Sequence, residues 1–369
     1  MPIDFVSLHK IWFMQFMDTI KITKAPTSKK MTVDFNNLGF GNYFTDHMFV
    51  ADYKDGEWVN AEIVPYGPIS FEPALSAIHY GQSIFEGIKA YRMKDGSAAI
   101  YRPLENMKRF NRSALRMEMP AVPEELFIGG MKKLLEVEDQ WIPHELEHAM
   151  YVRPFMFATD QVMRVMPSAT YKFYVILSPV GAYYAAPMRL WVEEEYVRAA
   201  PGGVGNAKTA GNYAASLHPF ALAKKRGYDQ VLWTDANEHK YVQECGTMNV
   251  FFLVGGKLLT PGLESGTILE GVTRDSVVKV AGDLGITVEE REISIDELVE
   301  AYKSGEFTEA FGSGTAATVA KIEEINYQNF IMTFNPLNQP VADALKQRLT
   351  EIRDGIIPDT RGWMVKVGS

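Results

Sequence analysis

The sequence predicts a mixed α/β protein of two domains. The chain has 369 residues, enough for two cores of ordinary size. Segments rich in β-branched and aromatic residues alternate with segments of helical spacing. A stretch of small residues, tyrosines and a proline at 181–187 separates two such sets. The expected division is a peripheral leader at 1–30, a small N-terminal α/β domain at 31–180, a linker at 181–187 and a larger C-terminal domain at 188–369.

Composition narrows the class. A chain that is 47% hydrophobic and 22% charged has the balance of a soluble globular protein. A net charge of −9 argues against a nucleic-acid binder, which needs a basic face. Cys245 is the only cysteine, so neither an intrachain disulfide nor a cysteine-based metal cluster can form, and no metal is expected. That usage fits a reducing compartment, the cytoplasm. No apolar run reaches the length of a membrane helix, about 18 residues. Phe5 to Ile20 is apolar but broken by His9, Lys10, Gln15 and Asp18, and no small-residue cleavage site follows. It reads as a ragged leader, with Met17 as an alternative start.

In chain order, residues 39–59 read as short strands with a hairpin turn at Asp55-Gly56. A short helix follows Leu75, broken at Gly81, and strands are expected at 87–92 and 98–101. Apolar residues at 104, 107, 110, 114 and 117 predict a helix whose other face carries Lys108, Arg109, Arg112 and Arg116. A second helix is expected over 124–137 despite Gly129-Gly130, then strands at 149–158 and 171–179. Beyond the linker come a strand from Met188, a helix from Tyr213 stopped by Gly227, and a strand at 229–234. A hairpin is expected across Gly255-Gly256, and a helix capped by Thr273 runs to about Leu284. A strand at 288–293, a helix at 295–303 and a strand at 309–311 lead into Gly312-Ser-Gly-Thr315. A helix at 338–354 ends the pattern.

The stretch most suggestive of chemistry is Pro201-Gly-Gly-Val-Gly-Asn-Ala-Lys208-Thr-Ala-Gly-Asn-Tyr213. Glycines let another group approach the backbone. Small neighbours leave room beside Lys208, and partial desolvation favours a neutral amine that can attack a carbonyl. The plainer reading is a glycine-rich loop with an incidental lysine. If Lys208 forms a Schiff base with pyridoxal phosphate, the cofactor also needs a phosphate cradle, an acid for its ring nitrogen and a partner for its ring hydroxyl. Gly271-Val272-Thr273 stands at a predicted helix start, where free N–H groups favour an anion. Ser313-Gly314-Thr315 is a small-residue turn; each could equally be an ordinary cap or turn. Glu244, before the apolar run 248–254, is a candidate for the acid or an exposed strand-entrance residue. Tyr213 is a candidate for the hydroxyl or a packing residue.

Taken together, several motifs resemble the branched-chain amino acid aminotransferases. They are Asn-Ala-Lys208-Thr-Ala-Gly-Asn-Tyr213, Glu244-Cys-Gly-Thr-Met-Asn249, Gly271-Val-Thr-Arg274 and Ser313-Gly-Thr-Ala-Ala. In the N-terminal half, Phe40-Gly-Asn-Tyr-Phe-Thr-Asp-His, His79-Tyr80-Gly-Gln-Ser-Ile-Phe85-Glu-Gly, Arg102-Pro-Leu-Glu-Asn-Met-Lys-Arg109 and Tyr151-Val-Arg153-Pro follow in the same order, so the likeness spans roughly residues 32 to 360. The resemblance implies the D-amino-acid-aminotransferase-like fold, with a small α/β domain and a larger pseudobarrel domain. It implies transfer of the amino group of leucine, isoleucine or valine to 2-oxoglutarate. Lys208 would hold pyridoxal phosphate and shuttle the proton. Glu244 would pair with the ring nitrogen and Tyr213 with the ring hydroxyl. Arg109, Val272, Thr273 and Thr315 would bind the phosphate. Tyr80, with Thr315 and Ala316, would hold the substrate α-carboxylate. Phe40, Phe85, Tyr183 and Thr247 would line the side-chain pocket, Thr247 beside the cofactor. Tyr151 would enter from the partner of a homodimer, and Arg153 would meet the distal carboxylate of glutamate. The resemblance implies small-molecule substrates, with no nucleic acid and no membrane as partner. A D-amino-acid aminotransferase or an aminodeoxychorismate lyase would share the lysine and glutamate. A non-catalytic pyridoxal-phosphate binder is the alternative from another class. The redox-sensing Cys-X-X-Cys pair of some mammalian members is replaced here by Ala317 and Ala320.

Overall fold

A computed structural model describes residues 19–145, 147–181 and 186–368. The chain divides into two compact units between 182 and 183 and again between 352 and 353. Part of the expected linker, including Tyr183, lies outside the described residues.

The first unit is built on a nine-stranded sheet. Its order is Lys21–Ile22, Glu57–Pro65, His47–Lys54, Tyr171–Val180, Ala149–Ala158, Ile88–Arg92, Ala98–Tyr101 and Met364–Lys366, with Ser83–Phe85 paired beside Ala149–Ala158. Asp55 and Gly56 both have positive φ, 54° and 85°, which is the two-residue hairpin geometry their types favour. Helix α1 (Ser76–Tyr80) ends on Gly81 in the left-handed conformation, the stop its sequence predicts. Helix α2 spans Pro103–Arg116 and buries Phe110 and Ala114. Phe110 packs with Phe127 and Phe173 at ring-centroid distances of 5.3 and 5.7 Å, and these rings with Phe49 form the aromatic centre of the core. The glycine that opens helix α3 (Gly130–Val137) has a packing cause. A Cβ at Gly130 would lie 2.7 Å from the Phe49 ring, so the helix tolerates the glycine because the core needs the room.

Two expectations about chain placement are corrected here. The last residues belong with the first unit and not with the C-terminal domain: Met364–Lys366 pairs antiparallel with Ala98–Tyr101. The leader is not peripheral throughout. Residues 1–18, Met17 among them, lie outside the described residues, but Ile20 is buried in the core and Lys21–Ile22 pairs parallel with Glu62 and Ile63. Asp46 anchors the segment after that short strand: its carboxylate accepts from Ser28 Oγ at 2.6 Å, Lys29 N at 2.7 Å and Trp141 Nε1 at 3.1 Å. Ala25 N donates to His47 Nε2 at 2.7 Å, and the other nitrogen of that ring meets the buried Glu138 carboxylate.

The second unit holds another nine-stranded sheet. Its order is Val242–Cys245, Gln230–Thr234, Met188–Glu193, Thr318–Tyr327, Phe307–Gly314, Asn249–Val254, Lys257–Thr260 and Val288–Glu290, with Phe330–Thr333 beside Thr318–Tyr327. Helices α4 (Ala210–Lys225), α5 (Val272–Asp283), α6 (Ile295–Lys303) and α7 (Pro340–Arg353) complete it. The architecture is thus α/β with two mixed sheets. Helix α5 starts one residue earlier than its expected cap: Gly271 is the N-cap, no side chain caps it, and Thr273 lies inside the first turn. The strand expected at 309–311 spans Phe307–Gly314, so Ser313-Gly314 closes the strand and the turn begins at Thr315. The strands at Val242–Cys245 and Phe330–Thr333 escape the periodicity because they are only four residues long. Glu309, buried on its strand, accepts from the first-turn N–H groups of Val341 and Ala342 at 3.1 and 2.9 Å and so seats α7.

Burial pushes the Asp46 carboxyl up, but the hydrogen bonds from Lys29, Ser28 and Trp141, with His47 beside it, outweigh burial and hold it below the ordinary carboxylate range. A depressed native value contributes stability above the unfolded carboxylate value, roughly 3.9, that is lost as pH falls through the lower native one. Asp46→Asn is therefore expected to cost about 2 kcal/mol in urea unfolding at neutral pH. The cost should shrink in acid below the native value; a cost that does not change with pH would refute the anchor's ionic character.

Candidate active site

The lysine stretch folds as a tight loop ahead of α4. Its glycines serve the loop's own packing. Gly202 takes φ +77°, and a Cβ at Gly205 would lie 2.5 Å from the Thr267 carbonyl. Asn212 Nδ2, in the first turn of α4, donates to the carbonyls of Val204 and Ala207 at 2.9 Å each. This holds Lys208 between a pinned loop and a helix start. Lys208 Nζ donates to Tyr213 Oη at 2.8 Å. The spacing of five residues in sequence becomes direct contact because the helix begins at Ala210 and turns Tyr213 back over the lysine.

Glu244 comes from the strand Val242–Cys245 and is 2% exposed. Burial removes the reading of Glu244 as an exposed strand-entrance residue. Its Oε1 accepts from Leu269 N at 2.7 Å, and its Oε2 lies 2.7 Å from Arg198 Nε. Burial drives the Glu244 carboxyl above the usual range; Arg198, the Leu269 N–H and the Lys208 ammonium oppose that rise. Sequence reasoning misses Arg198, yet this residue ties three segments together. Besides Glu244, Nη1 donates to the Thr267 carbonyl at 2.7 Å, and Nη1 and Nη2 to the Gly205 carbonyl at 3.3 and 3.1 Å. Its one available signal is position, a lone cation just ahead of the glycine cluster. Arg198, Tyr213, Glu244 and the exposed Thr247 line one recess.

The turns at Gly271 and after Ser313 also take shape. Gly271 has no room for a side chain, since a Cβ there would lie 2.0 Å from Asn249 Oδ1. Asn249 Nδ2 donates to the Leu269 carbonyl at 3.0 Å and positions the chain just before the uncapped start of α5, where Val272 and Thr273 sit. Ser313 Oγ is buried with no hydrogen-bond partner. It precedes a turn containing Thr315 and Ala316, closed by Thr318 at φ +63°, a conformation β-branched residues rarely adopt.

In the first unit four of the expected residues gather. Phe40 meets the Tyr151 ring edge-on at 4.9 Å, Arg153 Nη2 donates to Tyr151 Oη at 3.0 Å, and the guanidinium carbon of Arg153 lies 4.7 Å from the centre of the Phe85 ring. Gly87 makes this possible: a Cβ there would sit 2.1 Å from Tyr151 Oη. Tyr80 makes no hydrogen bond or ring contact with this group and is 41% exposed at the end of α1. Arg109, expected on a solvated face or at a phosphate, is buried. Its Nε and Nη2 grip Glu86 at 2.7 and 2.8 Å. Glu86, fully buried, is visible in the Phe-Glu-Gly segment, which carries no sign of its partner.

These features are those of a class IV aminotransferase, and the chain belongs to that family: residues 83–325 match its family model. Within the family it resembles the branched-chain enzymes. It is 49% identical to a probable branched-chain-amino-acid aminotransferase of Staphylococcus aureus, over 94% of this chain and 98% of that protein. It is 47% identical to branched-chain-amino-acid transaminase 1 of Bacillus subtilis, over 90% of this chain and 95% of that one. Among solved structures, the T.th. branched-chain amino acid aminotransferase complexed with N-(5'-phosphopyridoxyl)-L-glutamate matches with a TM-score of 0.69 and 28% identity, covering 90% of this chain and 99% of that one.

Breaking a buried ion pair strands the remaining charge, at a cost of about 3–5 kcal/mol. Arg198→Gln should lower the denaturant-unfolding free energy by about that amount. The double variant Arg198→Gln/Glu244→Gln should recover part of the loss. Additive effects in this cycle would show that the pair is not coupled.

Proposed function

We propose that this chain moves the amino group of L-leucine, L-isoleucine or L-valine to 2-oxoglutarate, with pyridoxal phosphate as cofactor. The observation that carries the proposal is the Lys208–Tyr213 contact beside the buried Glu244–Arg198 pair, in a chain of this family. The residues present fit the cofactor. The uncapped start of α5 and the unpartnered Ser313 hydroxyl are suited to an anionic phosphate. Glu244, whose burial calls for positive charge nearby, is suited to a protonated ring nitrogen. Bound there, pyridoxal phosphate supplies the electron sink that stabilises negative charge at the substrate α-carbon.

The chain's own residues do the rest. Lys208 would hold the cofactor, and its Nζ takes the proton from the donor's α-carbon. In the return half of the cycle Nζ delivers a proton to the α-carbon of the acceptor. Tyr213 Oη, in contact with Nζ, orients the amine. Arg198 opposes the rise that burial imposes on the Glu244 carboxyl and fixes its direction. By the family resemblance, Val272, Thr273, Thr315 and Arg109 would serve the phosphate, Thr247 would serve the cofactor, and Tyr80 and Ala316 would serve the α-carboxylate. In the first unit, Phe40 and Phe85 offer an apolar wall, on which burial is worth about 0.8 kcal/mol per CH₂. Arg153 offers charge-assisted hydrogen bonds to the distal carboxylate of glutamate. One pocket thereby serves both amino acids. Tyr183, outside the described residues, would share this role by the resemblance alone. The proposal includes a homodimer, with Tyr151 serving the partner's site, and a cytoplasmic location. Among the described residues no helix is long and apolar enough to cross a membrane.

Purified protein supplied with pyridoxal phosphate should be yellow and should consume L-leucine, not D-alanine, with 2-oxoglutarate. Lys208→Ala should abolish turnover in a coupled glutamate assay; retained turnover would exclude Lys208 as the proton carrier. Arg153→Met should raise the KM for 2-oxoglutarate by on the order of tenfold, the scale of one lost charge-assisted contact. The single-turnover rate with leucine should change far less. An equal effect on both substrates would remove Arg153 from carboxylate recognition.

A further inference from the structure

A second cavity, of about 450 Å³, lies within the first unit. Its volume is in the usual range of small-molecule sites, roughly 300–1,000 Å³. Three stretches distant in sequence form it: the hairpin from Tyr91 to Gly96, the residues around Pro143 and His148, and the terminal segment at Asp354 and Ile356. None of these residues is among those proposed for transamination.

Each stretch brings one buried polar atom that has no hydrogen-bond partner: Arg92 Nε, His148 Nδ1 and Asp354 Oδ2. Such atoms are uncommon in folded proteins, and three on one cavity call for an explanation. The Arg92 side chain is only 10% exposed. Its Nη1 donates to the Gly96 carbonyl at 3.1 Å and to Asp139 Oδ1 at 2.9 Å, and its Nη2 to the Asp139 carbonyl at 2.7 Å, so the guanidinium is fixed with Nε left over. The Glu145 carboxylate lies 3.8 Å from His148 Nδ1, beyond hydrogen-bond reach. Arg353 donates to Tyr91 Oη. Burial raises the proton affinity of Asp354; Arg353 opposes that rise and Glu147 adds to it. The rest of the wall includes the apolar Met93, Pro143 and Ile356, an isoleucine 53% exposed, together with Lys94, His144 and Glu145.

We propose that this cavity binds a free α-amino acid with an apolar side chain. Asp354 Oδ2 accepts from the ammonium, the N–H groups of Arg92 and His148 donate to the carboxylate, and Met93 and Ile356 cover the side chain. A simple anion would leave Asp354 Oδ2 without a partner, and a simple cation would leave Arg92 Nε without one. A metal ion fits poorly: Arg92 would repel it, and among the described residues no group of three metal-ligating side chains gathers. The ligand class follows from the cavity alone; its coincidence with the proposed substrate rests on the transaminase reading. On that reading the site reports amino-acid supply to the enzyme.

The test is calorimetric titration of L-leucine into protein treated with borohydride, which fixes any lysine-bound cofactor and stops turnover. One saturable site per chain is expected. Asp354→Asn and His148→Gln should each weaken it by on the order of tenfold, with circular dichroism confirming the fold; should one variant unfold, the other decides. The 2-oxo acid of leucine lacks the ammonium and isopentylamine lacks the carboxylate, so neither should saturate the site. Absence of a saturable site, leucine binding unchanged in the folded variants, or equally tight binding of the 2-oxo acid would overturn the proposal. Transaminase activity is measured in parallel on untreated protein. Its absence there would refute the function above and leave the binding result standing.

Discussion

The second unit turns on one buried guanidinium. Arg198 meets a carboxylate and two backbone carbonyls that lie on three separate segments. Each partner is a group that burial would otherwise penalise. The pair is therefore best understood as a constraint and less as a source of stability, since buried ion pairs seldom exceed their desolvation cost by much. What the constraint provides is direction. The Glu244 carboxylate is held from one side by Arg198 and from the other by the Leu269 N–H, and the loop leading to Lys208 is held by the same cation through Gly205. Acid and lysine are thus fixed in one frame before any ligand arrives, which is the preorganisation that electrostatic catalysis needs.

The first unit uses polar burial differently. Arg109 grips Glu86 by two nitrogens, the bidentate geometry that suits arginine. Glu86 lies between Phe85 and Gly87, so the ion pair fixes the strand end that places Phe85 under Arg153. Asp46 and His47 do similar work for the early chain, gathering residues 25–29 onto the sheet. In both places a charged group that looks like a surface residue in the sequence serves as an internal fastener.

Much of this is legible in the residues. The Asp55-Gly56 hairpin, the Gly81 stop and the helices carrying Phe110 and Tyr213 follow from local rules that tertiary packing does not override. Lys208 and Tyr213 can be paired from spacing, because a helix start converts a short separation into contact. The partners of charge cannot be found that way. Arg198 and Glu244 are 46 residues apart in numbering, and nothing local marks either as buried. The glycines near Lys208 suggest room for a ligand, whereas Gly205 makes room for Thr267. Thr273 is a capping residue type and so suggests a cap; the chain caps with Gly271, where Asn249 leaves no room for a Cβ. Composition can show that an unusual backbone is needed, but the neighbour that needs it comes from elsewhere in the fold.

The terminal strand has a consequence for how the molecule is made. Met364–Lys366 pairs with Ala98–Tyr101, and Arg102 N donates to the Trp363 carbonyl at 2.6 Å. On a ribosome, where chains fold from the N-terminus as they emerge, the first unit waits for its last strand until the second unit has been synthesised. Through that interval the Ala98–Tyr101 edge is open, and an open edge is where strands of different chains pair wrongly. The order of synthesis and the order of completion are therefore opposed: the unit that begins first is closed last.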